Sequence, residues 1–168
     1  MKNLILLISF IALSNYSMAQ GCGLVSVTKD KKTGIETKGG VVNSKDFYSL
    51  LIQKAIDKNS SSSSPKYVLS LHAASRDMLP DSMLLSMGKF ELLMADGNEL
   101  ILENATCFND PLGLGASIGF QVEVTENQIR EILNQPIKKV KVFEILETEF
   151  APSKQKQQQK LVHCLVNE

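Results

Sequence analysis

Short apolar runs rich in β-branched residues are the feature that most constrains the fold of this chain. Each run covers a few residues, and several are bounded by Gly, Pro, Asn, Asp or Ser. Runs of this length are typical of β-strands, and their close succession favours antiparallel pairing, because parallel pairing needs long crossovers. Asp96-Gly97, between two of these runs, predicts a tight hairpin. The predicted strands cover residues 24–28, 35–42, 67–73, 89–94, 100–104, 118–124, 139–146 and 161–166.

Two segments have the residue spacing of a helix. Thr125 and Gln128 can form a capping box, and Pro136 ends the helix that we predict near residues 125–134. Apolar positions in residues 46–57 fall on one helical face, which predicts a second helix, with a strand as the alternative. Together with the strands, these helices predict an α+β fold with a mostly antiparallel β-sheet, and a two-layer sandwich is the specific arrangement that we expect.

The start of the chain has the pattern of a secretory leader. A lysine precedes an apolar run over residues 4–13, and small residues stand three and one positions before the bond between Ala19 and Gln20. A membrane span needs about 20 consecutive apolar residues, and this run is shorter. We therefore predict that residues 1–19 are a cleaved signal peptide and that residues 20–168 form a single small β-rich domain. The leader resembles those of exports to Gram-negative envelopes, which implies a secreted or periplasmic protein.

Three cysteines follow the predicted cleavage site. Export to an oxidising compartment permits a disulfide. We expect Cys107 to pair with Cys164 since both fall in predicted strands, while a bridge from Cys22 to either of them stays open. Cys22 also lies close to the cut, so a lipid anchor on this residue is the alternative to free secretion.

Charge and composition argue against several classes of partner and cofactor. The 18 basic and 18 acidic residues balance, so no basic footprint for nucleic acid is present. After the leader, no apolar segment is long enough to span a bilayer. The sequence has no Cys-x-x-Cys motif and its two histidines are scattered, so we predict no metal site and no cofactor.

One motif has the pattern of a catalytic serine. Residues 115–119 read Gly-Ala-Ser-Ile-Gly, which matches the nucleophile elbow of α/β-hydrolases, with His163 as the available base for Ser117. That elbow needs a strand before the serine and a helix after it, whereas here a strand is predicted to follow. The context favours a glycine-rich loop that enters a strand. A small hydrolase that uses Ser117 or a cysteine is kept as an alternative hypothesis.

A methionine segment, residues 75–88, lies between two predicted strands. Methionine adapts to varied apolar partners, and it also fills gaps in protein cores. If this segment faces a ligand, Met78, Met83 and Met87 form the apolar ligand surface. No reactive group of residues has the context that its chemistry requires. The sequence therefore predicts a non-catalytic exported domain that binds an unknown protein or small molecule in the envelope or outside the cell. A carrier of an apolar small molecule is a further alternative.

Overall fold

Strands dominate the computed structural model, which describes residues 22–46, 48–59, 64–75, 78–112 and 115–167. The predicted signal peptide lies outside these described residues. The strands are β1 (Ser26–Lys29), β2 (Ile35–Asn43), β3 (Ser49–Asp57), β4 (Lys66–Ser75), β5 (Gly88–Met94), β6 (Glu99–Leu112), β7 (Gly115–Val124), β8 (Ile137–Val142) and β9 (Leu146–Glu149). The helices are α1 (Asp81–Leu84), α2 (Glu126–Asn134) and α3 (Pro152–Asn167).

All nine strands belong to one antiparallel sheet in the order β1-β2-β3-β4-β7-β6-β5-β8-β9. The predicted α+β fold with a mostly antiparallel sheet is confirmed. In place of the expected two-layer sandwich, the strands share one continuous hydrogen-bonded order. The long strand β6 joins its two halves, because residues 99–105 pair with β5 and residues 106–112 pair with β7. Asn104, at this change of partner, has a φ of 60°.

The sheet curls so that the connection between β2 and β3 contacts the last strand, β9. Lys45 and Asp46 lie in the connection between β2 and β3, near one end of the strand order. Lys45 Nζ is 2.9 Å from a carboxylate oxygen of Glu149 in β9, and Thr148 Oγ1 donates a 3.0 Å hydrogen bond to Asp46. The inside of the curl holds α2 and α3, and α3 contacts β2, β3 and β8. The buried core therefore lies between the curved sheet and these two helices.

The last element differs from the prediction, since residues 161–166 belong to helix α3 and not to a strand. Pro152 begins this helix at the position where its missing N–H costs nothing. Gln158, Leu161, Val162 and Leu165 are all buried, which is the spacing of one helical face. A short apolar run cannot by itself distinguish a buried helix from a buried strand.

The helix predicted over residues 46–57 is also wrong, because Ser49–Asp57 form β3. This strand pairs with β2 on one side and β4 on the other. Leu50 and Ile52 join the core, and the ladders on both sides override the weak helical spacing.

The strongest local predictions are confirmed. Asp96-Gly97 connects β5 to β6, and Gly97 has a φ of 90°, a conformation that glycine adopts without strain. The side chain of Thr125 caps α2, and both hydrogen bonds of the capping box with Gln128 are present. Ile129 and Ile132 turn the buried face of this helix towards the core.

Candidate functional site

An open groove of about 370 Å³ lies where β5 begins and β8 ends. We call it the Met87 groove. It is lined by Met87, Gly88, Lys89, Glu103, Asn104, Phe143 and Glu144. The ring of Phe143 lies against Gly88, and a β-carbon at that glycine would come within 2.8 Å of the ring. Phe143 also packs at a centroid distance of 5.4 Å from the buried ring of Phe120, so it separates the groove from the core.

The backbone of the Met87 groove is strained. Asn104, Phe143 and Glu144 have φ values of 60°, 52° and 60°, and they are the non-glycine residues with positive φ in the described part of the chain. The left-handed conformation costs a residue with a β-carbon roughly 1–2 kcal/mol. Strain of this kind tends to cluster at functional sites, where the surrounding structure holds it in place.

Several exposed apolar side chains are close in sequence to residues that line the Met87 groove. Leu85 is 87% exposed and Met87 is 74% exposed, in the chain that leads into β5. Ile145, directly after the strained turn, is 57% exposed. Ile101 precedes Glu103 by two residues on β6, so the two share one face of the sheet. Large apolar side chains concentrated in one area of a surface mark binding sites more often than scattered ones do.

The charges of the Met87 groove do not balance. Lys89 Nζ is 2.7 Å from one carboxylate oxygen of Glu91, and Lys141 Nζ is 3.5 Å from the other. The hydrogen bond from Lys89 holds the pKa of Glu91 below its usual value, and Glu91 in turn raises the pKa of Lys89. Glu103 and Glu144 also act on Lys89 through their charge, but neither forms a salt bridge with a described residue. The rim therefore has one net negative charge.

The three methionines that were predicted to form an apolar ligand surface lie in different environments. Met78 and Met87 are exposed, and Met87 lines the groove. Met83 is half-buried and packs against the core, as a gap-filling methionine does. Met87 is thus part of an open surface, whereas Met83 has a place in the packing.

Part of the methionine segment packs against the core, through Leu79, Met83 and Leu84. Asn109 on β6 holds it through both polar atoms of its amide, with hydrogen bonds of 2.8 and 3.0 Å to the main chain of Leu79. The thiol of Cys107 donates to the Met83 carbonyl at 3.1 Å. Burial raises the pKa of Cys107, which disfavours the reactive thiolate.

The disulfide joins Cys22 to Cys164, across 142 residues of sequence, and leaves Cys107 as a free buried thiol. The preferred sequence pairing of Cys107 with Cys164 is thereby corrected. Its premise was that residue 164 lies in a strand, whereas α3 turns Cys164 towards the start of the chain, where the two α-carbons are 5.9 Å apart. The bridge is consistent with an oxidising, extracytoplasmic environment.

Ser117 does not lie on a nucleophile elbow. It is within β7, where its register partners are Ala74 on β4 and Asp110 on β6. His72 is two residues from Ala74 on β4, and its ring packs edge-on against Phe108 at 5.5 Å. Ser117 lies between two ladders that engage the main chain of β7, so its neighbours offer no turn of free amides for an oxyanion.

Ser117 and His72 share one face of the adjacent strands β7 and β4, whereas the two histidines lie on opposite sides of the sheet. His163 is exposed on α3, on the concave side of the sheet, and its ring contacts the side-chain amide of Asn167. His72 alternates with the buried residues Leu71 and Ala73 and so faces the opposite side. The described residues contain no group of three or more His, Cys, Asp or Glu side chains that could hold a metal ion.

Sequence reasoning missed most of the Met87 groove. Lys89, Glu103 and Glu144 look like ordinary surface charges in the sequence. Phe143 and Glu144 were expected inside one strand over residues 139–146, whereas a turn there separates β8 from β9. No glycine or asparagine marks that turn.

Comparison of the chain with protein-family models, with curated proteins and with solved structures finds no match. Among the helices that the structure describes, none has the length and apolar character needed to cross a membrane.

Proposed function

We propose that this chain is an exported, non-catalytic binding domain, which holds a protein partner in the cell envelope or outside the cell. The observation that carries the proposal is the open Met87 groove, which holds the exposed side chain of Met87 and a backbone with positive φ at Asn104, Phe143 and Glu144. Leu85 and Met87 are exposed to water, and Phe143 and Glu144 have a strained backbone. Both features are typical of a surface that a partner covers.

Export is supported by two independent features. Residues 1–19 have the pattern of a cleavable leader, and Cys22 is bonded to Cys164. A sulfur in a disulfide cannot also carry a thioether-linked lipid, so the bridge favours a free secreted or periplasmic domain over a lipoprotein anchored at Cys22. Residues 20–168 are the proposed mature domain.

A surface partner suits the packing better than an enclosed apolar ligand. The space inside the curled sheet is occupied by side chains of α2 and α3, among which Ile129, Ile132 and Val162 are completely buried. Carriage of an apolar small molecule would need the methionine segment to move. Native mass spectrometry of the protein purified without detergent tests that alternative, and a co-purifying hydrophobe would favour it.

A hydrolase remains the enzymatic alternative. Ser117→Ala should leave any ester or peptide hydrolysis by the purified protein unchanged, because the β7 strand does not present this hydroxyl on an elbow. Loss of a measurable activity in that variant would favour the hydrolase and contradict the binding proposal.

Photo-crosslinking in the producing cell tests the proposed function. A photoreactive amino acid replaces Met87 in the full chain, and a matched control replaces Val41, which is 45% exposed on β2. We expect a discrete crosslinked protein at position 87 and none at position 41. Equal labelling at both positions, or none at either, would overturn the proposal.

A further inference from the structure

We infer that the partner presents a cationic segment to the Met87 groove, a lysine or arginine next to an aliphatic residue. This inference rests on the proposed function and adds the chemistry of the bound segment. It commits to a protein segment as the occupant, on the basis of charge complementarity and of the apolar walls.

The first support is the excess of carboxylates over ammonium groups in the lining. Glu103 and Glu144 line the groove from β6 and from the turn after β8, and neither has a salt-bridge partner among the described residues. Glu91 lies 2.7 Å from Lys89 and is shared with Lys141, so these three side chains keep one positive charge. With Glu103 and Glu144 the area has one net negative charge, which favours an incoming cation over an anion.

The second support is the apolar surface beside those carboxylates. Met87 and Phe143 form walls that can cover the aliphatic stem of a lysine or arginine, whose charged head stays near water and the carboxylates. Ile145 and Leu85 lie outside the groove and offer contacts for an aliphatic neighbour of the basic residue.

The third support is the shape of the backbone. Residues Gly88 and Phe90 flank an irregularity in the pairing of β5 with β6, opposite the point where Asn104 bends β6. Glu144 lines the groove from the strained turn after β8. The backbone of the groove is thus shaped by the sheet itself, which reduces the cost of ordering on binding.

The experiment is an NMR titration of the purified mature protein, with its disulfide intact, against two synthetic peptides. The first is acetyl-Gly-Leu-Lys-Leu-Gly-amide, and the second has glutamate in place of lysine. We expect the lysine peptide to shift the amide signals of Lys89, Glu103 and Glu144, and to bind roughly tenfold more tightly than the glutamate peptide. Binding should weaken as salt is added.

Two double variants test whether binding of the lysine peptide depends on the carboxylates of the groove. Glu103→Gln combined with Glu144→Gln should weaken binding of the lysine peptide by roughly two- to tenfold, the range for exposed ion pairs. A matched control, Glu99→Gln with Glu131→Gln, removes two exposed carboxylates outside the groove and should leave the Kd unchanged.

The outcomes distinguish this inference from the proposed function. Equal or tighter binding of the glutamate peptide, or no binding of the lysine peptide, would overturn the inference that the bound segment is cationic. Crosslinking at position 87 would still support a binding domain in that case. Shifts of the same signals with protein concentration alone would place a second copy in the groove and overturn the assignment to a partner. A lysine peptide that binds elsewhere also overturns it.

Discussion

The side-chain oxygen Oε1 of Gln158 accepts a 2.9 Å hydrogen bond from the main-chain amide of Ile137, and both residues are fully buried. This contact fixes α3 to the start of β8. Two neighbouring glutamines act in the same way, since Gln155 donates to the Phe150 carbonyl and Gln159 donates to the Leu133 carbonyl at the end of α2. The glutamine-rich stretch therefore joins the last helix to the elements around it.

Replacement of Gln158 by alanine should destabilise the protein. The change leaves the buried amide of Ile137 without an acceptor, which costs about 1–3 kcal/mol, and it opens a small cavity as well. Urea denaturation followed by circular dichroism measures the free energy of unfolding. Lys156→Ala, on the exposed side of the same helix, is the control and should change it by less than about 0.5 kcal/mol. Equal effects of the two variants would show that Gln158 has no special role.

Loss of the Cys22–Cys164 bridge should destabilise the protein by about 2–5 kcal/mol, because the bridge restricts the unfolded chain over a very long loop. The variant is Cys22→Ser with Cys164→Ser, and thermal denaturation gives the change in Tm. A reducing agent should lower the Tm of the native protein to that of the variant and leave the variant unchanged. A native protein insensitive to reduction would contradict the bridge.

The stability of the protein should fall in acid through Glu36. Lys58 at 2.7 Å and Lys29 at 3.3 Å hold the pKa of this buried carboxyl below its ordinary value of 4.5. A lowered folded-state pKa stabilises the fold above 4.5, and this contribution is lost as the pH falls below 4.5 through the lowered value. Glu36→Gln should therefore be less stable than the native protein at pH 7, and the difference should shrink in acid.

Denaturant titrations between pH 7 and pH 2 measure this difference. Glu123→Gln removes the exposed carboxylate that lies 3.6 Å from Lys66, and serves as the control with little expected effect. A difference between Glu36→Gln and the native protein that stays constant with pH would contradict the assignment.

Relief of the strained turn should raise stability and weaken binding. Glycine at position 144 adopts a positive φ without steric cost, so Glu144→Gly should raise the free energy of unfolding by up to about 1 kcal/mol. The same change removes a carboxylate from the Met87 groove and should weaken binding of the lysine peptide. Glu147→Gly, in strand β9, is the control and should lower stability. A loss of stability in Glu144→Gly would show that the turn is not strained.

Intact-mass measurement of the protein purified from the cell that produces it tests the export route. The expected species begins at Gln20 and has one disulfide and one free thiol, which becomes reactive to alkylation once the protein is denatured. A lipid on Cys22 or a retained leader would contradict free secretion.

The sequence predicts local features of this fold well and long-range ones poorly. The turn at Asp96-Gly97 and the capping box at Thr125 each depend on a few adjacent residues, so the sequence alone is enough to identify them. Helix α3 was missed because its apolar half, residues 161–166, is a short apolar run, which by itself fits a buried strand as well as a buried helix. Its buried face includes Gln158, whose partner Ile137 is 21 residues away.

The candidate site was less predictable than the fold. The run of methionines draws attention to Met87, but the positive φ of Phe143 and Glu144 is imposed by the tertiary structure on residues that do not favour it. The pairing of Cys22 follows from the position of α3, and an error in that helix led to the wrong partner for Cys164.

Photo-crosslinking at position 87, compared with position 41 in the producing cell, tests the central claim most directly. We expect one discrete crosslinked partner at position 87 and none at position 41. Labelling that is equal at the two positions, or absent from both, would contradict a binding domain built on the Met87 groove.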